Sequence, residues 1–251
     1  MGWDKPTLEW NVLITGASSG IGAAIARRFA SCGCTVIINY RNSHEKAEQV
    51  ANDCNRLGGT AILLACDISV AEQVEQMYNT LTAMHRLPDV IVNNAGISHF
   101  GLLTDTDESD WDRIFSTNVK SSFLLAKQFT PHMVNQKYGR MINISSVWGI
   151  SGASCEVAYA ASKGALNAFT KSLARELAPS EITVNAVAPG MVDTEMNARL
   201  TDDEYQQLVN DIPAGRTATP DEIAALVYFL ATPESAYING QIISPNGAWL
   251  T

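Results

Sequence analysis

The 251-residue chain lacks several features that would assign it to a specialised class of protein. It has no excess of basic residues, because Asp and Glu outnumber Lys and Arg by 26 to 17, and it contains no basic run. The net field of the protein therefore repels nucleic acid and anionic membranes. Its longest apolar run, near Ala224–Ala231, is too short to span a bilayer. We expect neither nucleic acid nor a membrane as a partner.

Cysteine is too scattered for a disulfide framework. The five cysteines are odd in number and lie in apolar or helical surroundings, which is typical of reduced thiols. Cys32 and Cys34 resemble half of a metal site, but no second pair or nearby His completes four ligands, so we predict no metal. The first ten residues lack the apolar core of a secretory signal, and Pro6 stands where a myristoylation signal has Ser or Thr. We therefore expect a soluble cytoplasmic protein.

The sequence does contain a regular alternation of short β-branched runs and helix-length amphipathic segments. This alternation is typical of βαβ units and a buried parallel sheet. It predicts an α/β fold, a Rossmann-like doubly wound parallel sheet of seven strands flanked by helices, as a single domain over residues 1–251. The polar stretch 191–216 is predicted to be a helical substrate lid. The predicted strands are Asn11–Thr15, Thr35–Asn39, Ala61–Ala65, Asp89–Asn93, Arg140–Ser145, Ile182–Ala188 and Gln241–Ser244; the predicted helices are Ile21–Ser31, His44–Leu57, Val70–Met84, Glu108–Asn135, Ala158–Ala178 and Asp221–Ala231.

A glycine-rich turn connects the first predicted strand to the first helix. Glycines at this place allow a tight turn, let backbone N–H groups reach a pyrophosphate, and let helix and strand pack closely. The turn therefore predicts a dinucleotide site, although glycine-rich turns also occur as plain loops. The predicted binding residues of this turn are Gly16, Ser18, Ser19, Gly20, Ile21 and Gly22.

The second predicted strand ends without the carboxylate that NAD-selective enzymes place about twenty residues beyond the glycine turn. Tyr40 stands there instead, and Arg41 follows it. We therefore expect Arg41 to bind the 2′-phosphate of NADP, assisted by Ser18 or Ser19, so that NADPH is preferred over NADH. The alternative is a solvated Arg on a surface loop.

A tyrosine and a lysine four residues apart begin the helix after the fifth predicted strand. Tyr159 and Lys163 share one helix face, so the ammonium can lie beside the phenol. A free phenol has a pKa of about 10, and a neighbouring cation favours its ionised form, which brings the phenol closer to acid–base work at neutral pH. Ser146 lies at the end of the preceding strand, the edge of an open α/β sheet where ligands bind. The alternative is a structural pair on an exposed helix.

These motifs together resemble the short-chain dehydrogenase/reductase family over nearly the whole chain. The glycine spacing is G-x-x-x-G-x-G, and Asn93-Asn94-Ala95-Gly96 and Pro189-Gly190 resemble further cofactor-lining motifs of that family. The resemblance implies that Tyr159 is the general acid, that Ser146 orients the carbonyl, that Lys163 also holds the nicotinamide ribose, and that Asn118 anchors a proton-relay water. It further implies a homotetramer in which the helices Glu108–Asn135 and Ala158–Ala178 pair between subunits. The other cofactor residues that it implies are Asp67, Ile68, Asn94, Ala95, Gly96, Pro189, Gly190, Val192 and Thr194.

The substrate is the least determined part of the prediction. The general layout resembles 3-oxoacyl-acyl carrier protein reductases, but Ile97–Gly101 and Ser145–Val157 depart from them and resemble elongation factor P 5-aminopentanone reductases. We therefore expect an NADPH-dependent reductase of a ketone on a modified lysine of elongation factor P. The alternatives are reduction of a ketone on acyl carrier protein and a non-catalytic NADP-sensing regulator. The predicted substrate residues are His99, Trp148 and Glu156.

Two of those substrate residues have a second interpretation. Glu156 is predicted to receive the amine of the substrate, and the alternative is an exposed Glu that favours the start of a helix. His99 follows the cofactor-lining loop, and the alternative is a surface His. The histidines do not cluster in sequence, so none of them indicates a metal site.

Overall fold

Seven parallel strands form the centre of the molecule in the computed structural model, which describes residues 10–198 and 200–250. The strands are β1 (Asn11–Ile14), β2 (Thr35–Tyr40), β3 (Thr60–Ala65), β4 (Val90–Asn93), β5 (Gly139–Ile144), β6 (Ile182–Val187) and β7 (Ile242–Ile243). Their order in the sheet is β3-β2-β1-β4-β5-β6-β7. Strand β1 pairs with β2 on one side and with β4 on the other, so the chain changes direction there. This confirms the predicted doubly wound α/β class.

Nine α-helices within the described residues surround the sheet. They are α1 (Gly20–Ala30), α2 (His44–Arg56), α3 (Ala71–Ala83), α4 (Glu108–Phe115), α5 (Ser121–Gln136), α6 (Trp148–Ser151), α7 (Val157–Leu177), α8 (Asp202–Asp211) and α9 (Pro220–Ala231). The prediction of one continuous helix over Glu108–Asn135 is wrong, because a π-helical turn at Ser116–Lys120 separates α4 from α5. No helix in the described part of the chain is long and apolar enough to cross a membrane.

Both faces of the sheet are covered, which explains why its strands read as continuous apolar runs. Along β1 the side chains of Val12 and Ile14 join the core beneath α1 and α9, while Leu13 joins the core beneath α3, α5 and α7. Each fully buried side chain such as Phe29 or Phe129 contributes about 1.5–3 kcal/mol through removal from water. Because the two cores pack on both faces of the sheet, the residues at the carboxyl ends of its strands have well-defined positions.

The stretch 191–216 leaves the sheet after β6 and returns beside its own start. Ala218 N–H donates to the carbonyl of Met191 at 2.9 Å, and Asp193 N–H donates to the carbonyl of Ala218 at 2.9 Å. Between these contacts lies α8, which begins with a capping box formed by Thr201 and Glu204. The described part of the stretch contains one α-helix, α8, and its function as a helical lid stays a prediction. The sequence motifs in the first nine residues lie outside the described part of the chain.

Candidate active site

A cavity of about 1380 Å³ opens at the carboxyl ends of the strands, where the strand order reverses. This is the edge of an open α/β sheet at which ligands bind. Two predicted cofactor residues, Gly22 and Tyr40, do not line the cavity, and neither do Asn118 and His99. The predicted residues that do line it are Gly16, Ser18, Ser19, Gly20, Ile21, Arg41, Asp67, Ile68, Asn94, Ala95, Gly96, Ser146, Trp148, Glu156, Tyr159, Lys163, Pro189, Gly190, Val192 and Thr194.

The glycine-rich turn has the shape that a bound dinucleotide requires. Gly16 has a φ of +61°, and a Cβ there would lie 3.0 Å from the Cα of Ala95. Asn94 fixes the turn by donating from Nδ2 to the carbonyls of Thr15 at 2.9 Å and Gly16 at 3.1 Å. The turn leads into the N-terminus of α1, whose first turn carries no acidic residue. Its backbone N–H groups therefore suit an anion such as a pyrophosphate.

Gly22 serves packing and not direct contact with the cavity. A Cβ at Gly22 would lie 2.6 Å from the carbonyl oxygen of Gly16 and 2.5 Å from Nδ2 of Asn94. The prediction that Gly22 contacts the cofactor stays a prediction. It lets α1 approach the turn that it supports.

The two residues at the end of β2 that were predicted to bind the cofactor have different environments. Tyr40 is buried, and its hydroxyl hydrogen-bonds Nδ1 of His44 at 2.7 Å; its contact with the cofactor stays a prediction. Arg41 lines the cavity, and its Nη1 lies 3.5 Å from Oδ2 of Asp67. Burial alone would raise the pKa of Asp67, but hydrogen bonds from Ser69 and the charge of Arg41 lower it below its usual range. The pair places a cation and a carboxylate at the mouth of the cavity.

The tyrosine and the lysine lie one helical turn apart at the start of α7, and both are buried. Burial raises the pKa of Tyr159 to about 12; a hydrogen bond with the Ser146 side chain opposes this rise, and the charge of Glu156 adds to it. Burial also lowers the pKa of Lys163 to about 8. Lys163 Nζ donates to the carbonyl of Ile144 at 2.7 Å and lies 5.7 Å from the centre of the Tyr159 ring. Burial is the largest influence on the phenol pKa in the folded chain. The predicted tuning of Tyr159 by Lys163 stays a prediction.

Asn118 connects three segments from its place in the π-helical turn. Its Nδ2 donates to the carbonyl of Ile97 and to the hydroxyl of Ser162, while its Oδ1 accepts from the N–H of Ile97, at 2.9–3.0 Å. Ser162 in turn donates to the carbonyl of Tyr159 at 2.7 Å. A π-helical turn often marks a functional position. Here the carboxamide orients the loop after β4 toward the start of α7; the predicted water anchor stays a prediction.

The three predicted substrate residues separate in the structure. Nδ1 of His99 lies 3.6 Å from Oδ2 of Asp110 in the acidic first turn of α4, and His99 is outside the cavity lining. Its substrate role stays a prediction. Trp148 and Glu156 do line the cavity. Glu156 is the N-cap of α7, but its side chain makes no capping hydrogen bond.

Several lining residues were not named individually from the sequence. They come from α4, from the predicted lid stretch 191–216 and from the segment after β7, which only the fold brings to one edge of the sheet. No group of three or more His, Cys, Asp or Glu between residues 10 and 250, Arg199 excepted, is arranged to hold a metal ion. The unpredicted lining residues include Arg113, Met191, Leu208, Asp211 and Trp249.

Comparisons with known proteins agree with this geometry. Residues 16–247 match the family model described as enoyl-(acyl carrier protein) reductase. The chain is 41% identical over 238 residues to the uncharacterized oxidoreductase YmfI of Bacillus subtilis, which covers 94% of this chain and 97% of that one. It is 40% identical over 240 residues to the 3-oxoacyl-(acyl-carrier-protein) reductase FabG of Aquifex aeolicus, covering 94% and 95%. A crystal structure from Agrobacterium tumefaciens, provisionally assigned as a gluconate dehydrogenase, superposes with a TM-score of 0.93 at 28% identity, covering 98% and 99%.

Proposed function

The chain belongs to the short-chain dehydrogenase/reductase family of oxidoreductases, and on this basis we propose that it reduces a ketone to a secondary alcohol with NADPH. The observation that carries the proposal is that Ser146, Tyr159 and Lys163 line the same cavity as the glycine-rich turn. A proton donor, a carbonyl-orienting hydroxyl and a dinucleotide cradle are thereby available to one substrate. The predicted homotetramer stays a prediction.

The cavity has the size and the lining for a nicotinamide dinucleotide. Its volume of about 1380 Å³ is ample for a cofactor, and its lining runs from the glycine-rich turn to Tyr159 and Lys163. When bound, the nicotinamide supplies the hydride. We assign the pyrophosphate to the N-terminus of α1, the 2′-phosphate to Arg41 and the nicotinamide ribose to Lys163.

Tyr159 supplies the proton in this proposal. Its phenol, with a pKa raised to about 12, stays protonated at neutral pH and can donate to the carbonyl oxygen of the ketone. Ser146, which hydrogen-bonds the phenol, orients and polarises the same oxygen. The phenol is therefore present at neutral pH in the protonated form that reduction of a ketone requires.

Replacement of Tyr159 by Phe tests the assignment. Tyr159→Phe removes only the acidic hydroxyl, so turnover of a ketone should fall by about a hundred- to ten-thousand-fold while NADPH binding is retained. Tyr78→Phe is the matched control, because Tyr78 lies on α3 outside the cavity and its ring contact with Phe129 survives the change. Turnover of Tyr159→Phe within about threefold of wild type contradicts the proposal, since that residual rate excludes an essential acid.

The substrate that we propose is an amine-bearing ketone, the 5-aminopentanone group on a lysine of elongation factor P. Support comes from Glu156, which lines the cavity close enough to Tyr159 for its charge to raise the phenol pKa. A cation that enters a partly dehydrated cavity needs a compensating anion, whereas a neutral acyl thioester gains nothing from one. The names of the Aquifex aeolicus and Staphylococcus aureus relatives favour a second candidate, a 3-oxoacyl thioester on acyl carrier protein.

Glu156 separates the two substrates. Glu156→Gln should raise KM for an amine-bearing ketone and leave KM for a neutral ketone of equal length unchanged. Glu176→Gln, on the exposed far end of α7, controls for a general change in charge. If KM changes equally for both ketones, or for neither, Glu156 serves only to favour the start of α7, and the acyl carrier protein substrate becomes the better candidate.

A direct comparison completes the test. Turnover with NADPH is measured on elongation factor P carrying the ketone and on an acetoacetyl thioester. Faster reduction of the thioester selects the second candidate. Tight NADPH binding without reduction of any ketone in a broad panel selects the non-catalytic regulator.

A further inference from the structure

Two tryptophans from distant parts of the chain meet in the wall of the cavity. The rings of Trp148 and Trp249 contact edge to face, with centroids 5.0 Å apart and planes at 61°. Both line the same cavity as Glu156. The backbone N–H of Trp148 donates to the hydroxyl of Ser146 at 3.2 Å, so the backbone that carries one of the two rings lies beside the proposed reacting centre.

Trp249 reaches the cavity through a strained turn after β7. Gly247 and Ala248 have φ values of +64° and +65°, and the N–H of Trp249 donates to the carbonyl of Asn246 at 3.1 Å. Two consecutive positive φ angles closed by this hydrogen bond are the pattern of a type I′ turn. Alanine is disfavoured at such an angle, and strain of this kind persists only where the surroundings impose it.

The turn is held by contacts with the two segments that flank the stretch containing α8. Ala214, just beyond α8, donates its N–H to the carbonyl of Gly247 at 3.1 Å. Asn246 Nδ2 donates to the carbonyl of Leu250 at 2.7 Å. A Cβ at Gly190 would lie 3.0 Å from the Cα of Asn246, so the segment is packed against the loop after β6. The position of Trp249 is therefore specified by the fold and is not that of a loose chain end.

We propose that Trp249 is a specificity-determining residue that, with Trp148, forms an aromatic wall binding the ammonium of the substrate through cation–π contact. The inference rests on the proposed function, because it names what recognises the amine beside the reacting ketone. Tryptophan offers the strongest ring face for a cation, and Glu156 supplies the negative charge that an ammonium needs in the same cavity. A neutral acyl chain would bind the same rings only by apolar contact.

The test compares two ketones that differ only in charge. One carries a quaternary ammonium group, which cannot close onto its own carbonyl, and the other carries a tert-butyl group in its place. Trp249→Leu keeps apolar surface and removes the ring, so KM for the charged ketone should rise about 2- to 30-fold while KM for the neutral ketone stays the same. Trp249→Phe should give a smaller rise. Trp111→Leu, a tryptophan stacked on Phe115 outside the cavity lining, is the matched control.

The outcomes separate this inference from the function on which it rests. Reduction of both ketones by wild type, with equal changes of KM in Trp249→Leu, overturns the inference and leaves the proposed reduction intact. If wild type reduces neither ketone, the proposed function fails, and the affinities of both ketones for the protein with NADPH, measured by isothermal titration calorimetry, still test the wall. No binding of the charged ketone by wild type, or an equal loss of affinity for both ketones in Trp249→Leu, then overturns the inference, and a loss confined to the charged ketone supports it. Circular dichroism of Trp249→Phe verifies that the fold is intact.

Discussion

Arg41 should set the preference for NADPH over NADH, and Arg41→Ala should reduce that preference by about tenfold. A hydrogen bond to a charged group contributes about 1.5–3 kcal/mol. The Arg41 side chain is 55% exposed and already lies beside the carboxylate of Asp67, so solvent screening and the competing ion pair favour the low end of that range. About 1.4 kcal/mol corresponds to a factor of ten.

The measurement is the ratio of kcat/KM with NADPH to kcat/KM with NADH for wild type and Arg41→Ala. The ratio should fall through a higher KM for NADPH, while the efficiency with NADH changes little. Higher salt should reduce the wild-type preference as well, because an exposed charge contact is screened. Arg56→Ala is the matched control, since Arg56 is also exposed and paired with an aspartate, Asp53, but lies outside the cavity.

Two results would refute this reasoning in different ways. An unchanged ratio in Arg41→Ala means that the side chain is a solvated surface arginine. Equal losses with both cofactors mean that Arg41 acts by holding Asp67, which lines the same cavity, and does not read the 2′-phosphate.

The remaining predictions concern a proton and a glycine. Because burial lowers the pKa of Lys163 to about 8, the ammonium is charged below that pH and neutral above it, so kcat/KM for reduction should decline as pH rises through about 8. The phenol of Tyr159, with a pKa near 12, keeps its proton over this range, so a profile that stays flat to pH 10 contradicts the role of Lys163. Gly22→Ala should cost about 1–3 kcal/mol of unfolding free energy, because its Cβ would meet backbone at 2.6 Å. In urea unfolding, Gly164→Ala is the control, since its Cβ has only an ordinary contact at 3.6 Å, and equal stabilities of the two variants would contradict the steric argument.

The fold class and the succession of strands and helices along the chain could be predicted from the sequence, because each strand is a short apolar run rich in β-branched residues. The continuous apolar run of β1 requires cover on both faces, and the alternation of such runs with amphipathic helices restricts the sheet to a parallel one. The π-helical turn at Ser116–Lys120 could not be predicted in this way. It is stabilised by the bonds of Asn118 to Ile97 and Ser162, which are tertiary contacts that hydrophobic periodicity does not register.

The candidate site was predictable where a local spacing sets the geometry. Tyr159 and Lys163 are four residues apart on one helix, so their side chains share a face before any packing is known. The pairing of His99 with Asp110 was not predictable from the sequence, because it depends on a helix whose position only the fold determines. Trp249 was missed for the same reason, since a residue near the end of the chain reaches the cavity only through the turn at Gly247 and Ala248.

Burial also changes the chemistry that the Tyr–Lys motif implies. Spacing alone suggests a phenol whose pKa is lowered by a neighbouring cation and which therefore works equally in both directions. In the folded protein both groups lose hydration, so the phenol pKa rises and the ammonium pKa falls, and the two charged forms are disfavoured together. A phenol of pKa about 12 is almost entirely protonated at pH 7, whereas alcohol oxidation requires the phenolate. The protonation state of the phenol at neutral pH thus depends on the burial of the start of α7 as well as on the motif, and the motif by itself does not determine it.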